Sequence, residues 1–209
     1  MGLFSRQKSE EDQHKDSDID EDINVTVPSG PSDSEGKMCP DGYLDLGALY
    51  VPAIPGMQLR AQFEGDKKTL RRILLISGTS GIQVSVAAAP RSGGMWEELR
   101  EQVAQSIRQM NGSVTEVETK YGIELDANIP VRLPDGGEGK QPMRIIGIEG
   151  PRWLLRIDLQ GGAAAGDEAQ RAQCEEIIDR FIVNRGSEPR VRLELLPLAL
   201  PRSGDNETV

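Results

Sequence analysis

The chain has 209 residues, of which 37% are hydrophobic, with a net charge of −10 and only two cysteines, Cys39 and Cys174. That length fits one domain with appendages, and the acidic balance argues against binding a phosphate backbone, which needs clustered Lys and Arg. Two distant cysteines exclude a disulfide framework, and no apolar run approaches the roughly 18–20 residues of a membrane span, so the expected compartment is the cytoplasm and no nucleic acid is expected as a partner.

Residues 1–40 hold ten acidic residues against four bases, with little to bury against the entropy of ordering, and they read as an acidic disordered arm. Its tip carries Leu3 and Phe4 ahead of Arg6 and Lys8. Those few residues support at most a weak peripheral membrane contact, because they bury too little area for stable interfacial binding. Arg6 stands where a myristoylation pattern needs Ser or Thr, and there is no h-region of a signal peptide.

Residues 41–201 read as a single α+β domain, followed by a flexible tail over 202–209. Met57, Leu59, Ala61 and Phe63 alternate with polar residues, the period of a half-buried strand. Leu70 to Ile76 is a continuous apolar run, and Ile82 to Ala88 alternates again, so an antiparallel meander is expected. A helix follows over Met95–Met110. Its stripe is Trp96, Leu99, Val103, Ile107 and Met110, with Glu97 and Glu98 in the first turn and Arg108 in the last. Val114 to Glu118 is a short strand. Ile123 to Ile129 alternates, and Pro130 suggests an edge position or the strand's end. Met143–Ile148 and Trp153–Leu159 form a hairpin about Gly150-Pro151. A second helix opens at Asp167, a cap with Gln170 placed for a capping box, and turns Cys174, Ile177, Ile178, Phe181 and Ile182 inward. One short strand is expected around Val191–Leu195. Strands then helix, twice over, favour antiparallel sheets with the two helices packed on one side rather than βαβ units.

The only histidine, His14, lies in the arm. The folded part therefore lacks the commonest general base and metal ligand. Zinc needs three or four ligands at close spacing, and Cys39, Cys174 and His14 do not supply them. Neighbouring acids such as Glu97 and Glu98 point apart on a helix and make no catalytic pair. No catalytic residue, metal or cofactor is expected. Two local features stand out. Arg91-Ser92-Gly93-Gly94 leads into the first helix, where backbone N–H groups and the helix end favour an anion; the plain alternative is a tight turn with Ser92 or Gly94 as cap. Arg152 and Trp153, at the hairpin turn, form a candidate interaction pair through stacking or a partner carboxylate. The plain alternative there is a turn with a core tryptophan.

Leu44-Asp45-Leu46-Gly47, Val51-Pro52-Ala53-Ile54-Pro55-Gly56-Met57, Ala88-Ala89-Pro90-Arg91-Ser92-Gly93-Gly94-Met95-Trp96, Val131-Arg132-Leu133-Pro134-Asp135-Gly136 and Gly150-Pro151-Arg152-Trp153-Leu154-Leu155-Arg156 resemble the actinobacterial family known as domain of unknown function 3710. The resemblance covers Leu44 to Pro201. It implies an actinobacterial, cytoplasmic protein and brings no activity, so no residue inherits a role from it. By analogy of element order, the fold is similar to the Mog1/PsbP-like sandwich. The leading expectation is a non-catalytic interaction or adaptor protein with an unknown protein partner. Its competitor is a small-anion or nucleotide-binding protein, or a hydrolase, centred on Arg91 to Gly94.

Overall fold

The computed structural model of the chain describes residues 30–64 and 69–200. Leu3, Phe4 and the 202–209 tail lie outside the described residues. The fold is mixed α+β with antiparallel pairing throughout its larger sheet.

That sheet has seven strands in the order β4 (Gln58–Glu64), β5 (Thr69–Ser77), β6 (Ser80–Ala88), β10 (Trp153–Gly161), β9 (Glu138–Gly150), β8 (Gly122–Arg132) and β7 (Ser113–Thr119). The expected meander is its first half. The expected hairpin supplies β9 and β10. The halves join where β6 pairs with β10, Ala88 opposite Trp153 and Val84 opposite Ile157. Pro130 falls inside β8, an interior strand. It is tolerated because β7 stops covering β8 at Asn128, so the missing N–H faces no partner strand on that side.

The helices α1 (Met95–Gln109) and α2 (Glu168–Asp179) lie on opposite faces of this sheet, not on one side as the element order suggested. On one face, Leu125, Ala127, Ile145 and Leu154 meet Trp96, Ala104 and Ile107 of α1. On the other, Val84, Ile146, Leu155 and Ile157 meet Cys174, Ile177 and Ile178 of α2. The central strands are apolar on both faces: Ile145 and Ile146 are buried next to each other, and so are Leu154 and Leu155. Alternation can report only one face at a time; adjacent buried residues mark a strand covered on both.

A second sheet packs on the α2 face, in the order β1 (Ser32–Asp33), β11 (Ile182–Val183), β3 (Leu49–Pro52) and β2 (Tyr43–Asp45), none of which was legible as a strand from residue pattern. Its strands are too short for a period to register. It also moves the domain boundary. Residues 30–40 belong to the fold, because Ser32 and Asp33 pair in parallel with Ile182 and Val183, and Asp33 Oδ2 accepts the indole N–H of the core residue Trp153 at 2.7 Å. Asp33 reads as one more acid of the arm, yet it is the partner that lets a buried indole keep its hydrogen bond. The segment expected as a strand around Val191–Leu195 makes isolated bridges instead, Leu195 to Ala87 and Leu198 to Leu70.

Candidate functional site

The loop entering α1 has the expected geometry and an unexpected occupant. Gly93 and Gly94 both adopt left-handed backbone, φ 67° and 80°, and Gly94 is the N-cap without a side-chain cap bond. The carboxylate of Glu149, from the end of β9, takes the donors: Gly94 N–H at 3.0 Å, Met95 N–H at 2.6 Å and Trp96 N–H at 3.2 Å. A helix N-terminus with exposed N–H groups and a favourable dipole attracts an anion, and here the anion is the chain's own. Arg91 and Ser92 are exposed beside it and make no hydrogen bond or ion pair among the described residues. Glu149 had no legible role in the sequence, since it is distant in the chain and sits beside a turn.

Trp153 is a core residue, 2% exposed, and its indole ring lies over Gly150, where a Cβ would fall 2.0 Å from the ring. Arg152 is half-buried in the two-residue Pro151–Arg152 turn with φ 66°. The structure therefore separates the pair: Trp153 points into the core and Arg152 into a hollow with Arg185. Arg185 lies beyond the end of α2 and carried no signal of its own in the sequence.

A third cluster lies between β8, β9 and α2, with the Arg144–Glu124 pair buried at its centre and Lys120 at its exposed edge. Arg144 and Glu124, 6% and 2% exposed, form a forked pair at 2.8–3.1 Å, and Arg144 also reaches Glu175 at 3.0 Å. Lys120 pairs with Asp179 at 2.8 Å, and the Tyr121 hydroxyl donates to Asp179 at 2.6 Å. Burial, then the Asp179 hydrogen bond, pushes the Tyr121 phenol far above its usual range. Burial opposes the Lys120 charge, but the Asp179 and Glu175 carboxylates outweigh it and raise the ammonium pKa. Every charge here has an internal partner, the arrangement that makes buried ions tolerable. Cys174, fully buried on α2, has its thiol pushed up mainly by burial, which suits a core residue and not a nucleophile. Among the described residues, no group of three or more His, Cys, Asp or Glu gathers to hold a metal, and no helix is long and apolar enough to cross a membrane.

A groove runs beside α1. Two hollows of about 720 and 330 Å³ share Met110; the first is lined by Pro130, Val131, Arg132 and Lys140, the second by Leu99, Val103, Ile129 and Met143. Met110 completes the expected apolar stripe, yet it is 55% exposed. The helix ends at Gln109, so Met110 is the C-cap and its side chain overhangs the groove instead of entering the core.

A family model described as "Protein of unknown function (DUF3710)" matches residues 30–207, which include the whole described fold. No curated protein matches the chain. Among solved structures it is similar to the solution structure of cyanobacterial PsbP (CyanoP) from Synechocystis sp. PCC 6803, at 8% identity and a TM-score of 0.38, over 65% of this chain and 86% of that one. The chain belongs to the DUF3710 family.

Proposed function

We propose that this is a non-catalytic interaction protein of the actinobacterial cytoplasm, which docks a segment of a protein partner in the groove beside α1. One observation carries the reading: Met110, exposed at the end of a helix whose other stripe residues are turned inward, bridges a mainly apolar hollow and a larger one of mixed lining. Methionine is flexible and polarizable, and it suits surfaces that receive varied apolar side chains. Arg132 and Lys140 line the larger hollow with Glu138 as its one acid, and neither base makes an ion pair among the described residues. The occupant this favours is an apolar segment flanked by acidic residues. The net charge of −10 disfavours a nucleic acid in its place. The competing reading, an external anion at Arg91 to Gly94, would require a ligand to displace Glu149 from three N–H groups.

The test is site-specific photocrosslinking in an actinobacterial host, with the probe at Met110 and, as control, at exposed Glu176 on α2. A partner captured at Met110 and not at Glu176, whose crosslinked peptide joins apolar and acidic residues and whose capture falls on Arg132→Glu, supports the proposal. Equal recovery at the two positions overturns it.

A further inference from the structure

A second site lies elsewhere and shares no residue with the α1 groove. Three stretches converge on a hollow of about 430 Å³: the turn after β1, the Pro151–Arg152 turn, and the chain from Asn184 to Ser187. That volume falls within the roughly 300–1,000 Å³ of small-ligand pockets.

Two of its charges are guanidiniums without a carboxylate partner among the described residues. Pro151 followed by a residue at φ 66° is the type II turn pattern, whose second position normally goes to Gly or Asn. Here it holds Arg152, whose guanidinium makes no hydrogen bond or ion pair among the described residues. Strain retained at a position where glycine would relieve it points from the outlier to a function of the side chain. Arg185 donates through Nη1 to the carbonyls of Gly186 and Glu188, while its Nε is buried without a hydrogen-bond partner among the described residues. Burial, then the neighbouring Arg152 and Arg190 guanidiniums, lowers its proton affinity. Arg190 is neutralised by Glu188 and Glu194; Arg152 and Arg185 have no such carboxylate. Two guanidiniums sharing a half-buried hollow repel each other until an anion joins them.

We infer that this pocket binds a carboxylate, held by Arg152 and Arg185. A carboxylate fits better than phosphate because Asp33 and Glu35 also line the hollow. A singly charged, planar acceptor meets less repulsion from them and matches the guanidinium fork.

Trp153 provides a built-in reporter, since its indole N–H bonds Asp33 in the pocket wall, whereas that of Trp96 bonds the Ile123 carbonyl on the α1 side of the sheet. The full chain, labelled with ¹⁵N, is titrated with acetate, with inorganic phosphate and with chloride at matched ionic strength. Acetate is expected to shift the Trp153 indole peak saturably and leave that of Trp96 in place. Arg152→Gly, which removes the guanidinium while easing the backbone, and Arg185→Gln are each expected to weaken the response about tenfold or more, the worth of a charged hydrogen bond. A peptide with a free C-terminal carboxylate, set against its amidated twin, shows whether the natural source is a chain end or a small acid. No response of Trp153 to any carboxylate, a response retained in Arg152→Gly, or an equal response to phosphate overturns the inference.

Discussion

Replacing Arg152 with glycine is expected to make the protein more stable, an unusual outcome for truncating a half-buried arginine. A non-glycine residue in left-handed backbone costs about 1–2 kcal/mol, and Arg152 sits there at φ 66°. Glycine returns about 0.5–1 kcal/mol of that through the greater freedom of its unfolded chain. The backbone bond in which Ala89 N–H donates to the Arg152 carbonyl at 2.9 Å survives the change. Loss of the repulsion with Arg185 adds a little more. The net expectation is a gain of about 0.5–1 kcal/mol, or a Tm higher by about 2–3 °C for a domain of this size. Urea unfolding of wild type, Arg152→Gly and Arg152→Ala separates the two contributions. The alanine variant keeps the strained backbone, so the glycine variant should exceed it by about 1 kcal/mol. An Arg152→Gly protein less stable than wild type would mean that the arginine side chain supports folding, and the argument for a free binding residue would fail.

Removing the internal anion at α1 should have the opposite sign: Glu149→Ala strips the carboxylate from three N–H groups and should cost about 1–2 kcal/mol in urea unfolding. In that variant, and not in wild type, millimolar sulfate should restore part of the loss by occupying the same donors. Glu124→Ala leaves Arg144 buried without its forked partner and should cost about 3–5 kcal/mol, whereas Arg100→Ala, whose partner Glu116 is half exposed, should change little. Stability should fall as pH rises past 10.0, the ordinary tyrosine value, because the folded state holds the Tyr121 proton more tightly than the unfolded chain does. Lys120, also raised, contributes in the same direction. The alkaline slope of stability, followed by circular dichroism, should be shallower in Tyr121→Phe.

Much of the fold could be read where a period was long enough to show. Trp96, Leu99, Val103 and Ile107 of the α1 stripe, the N-cap Asp167, whose carboxylate accepts the Gln170 N–H at 3.1 Å, and the three meander strands stand where their residues suggested, whereas the Gln170 side chain accepts from Thr79 N–H instead of closing the capping box. What escaped has a common cause. Asp33 and Glu149 bond partners far away in the chain, Arg185 shares a hollow with distant Arg152, and a single side chain in a turn carries no periodicity. The four-stranded sheet escaped for the same reason, since pairs such as Ser32 with Ile182 and Tyr50 with Ile182 exist only once the chain has closed. The α1 loop shows the limit most clearly. Its glycines and helix end left backbone N–H groups to be satisfied, and only the structure shows that the chain's own Glu149 carboxylate takes them.

The junction of β6 with β10 also sets an order of assembly. The strands on either side of it, β4 to β6 and β7 to β10, follow one another closely in sequence and can pair locally. Their joining closes a long loop containing α1, a costly step in chain entropy that short-range pairing does not prepare. The final stretch comes later still. Leu193 and Leu196 donate their N–H groups to the carbonyls of Ala88 and Val86, on the strand that β10 has already flanked. Slow folding, with the last residues sealing a sheet built before them, is written into the strand order.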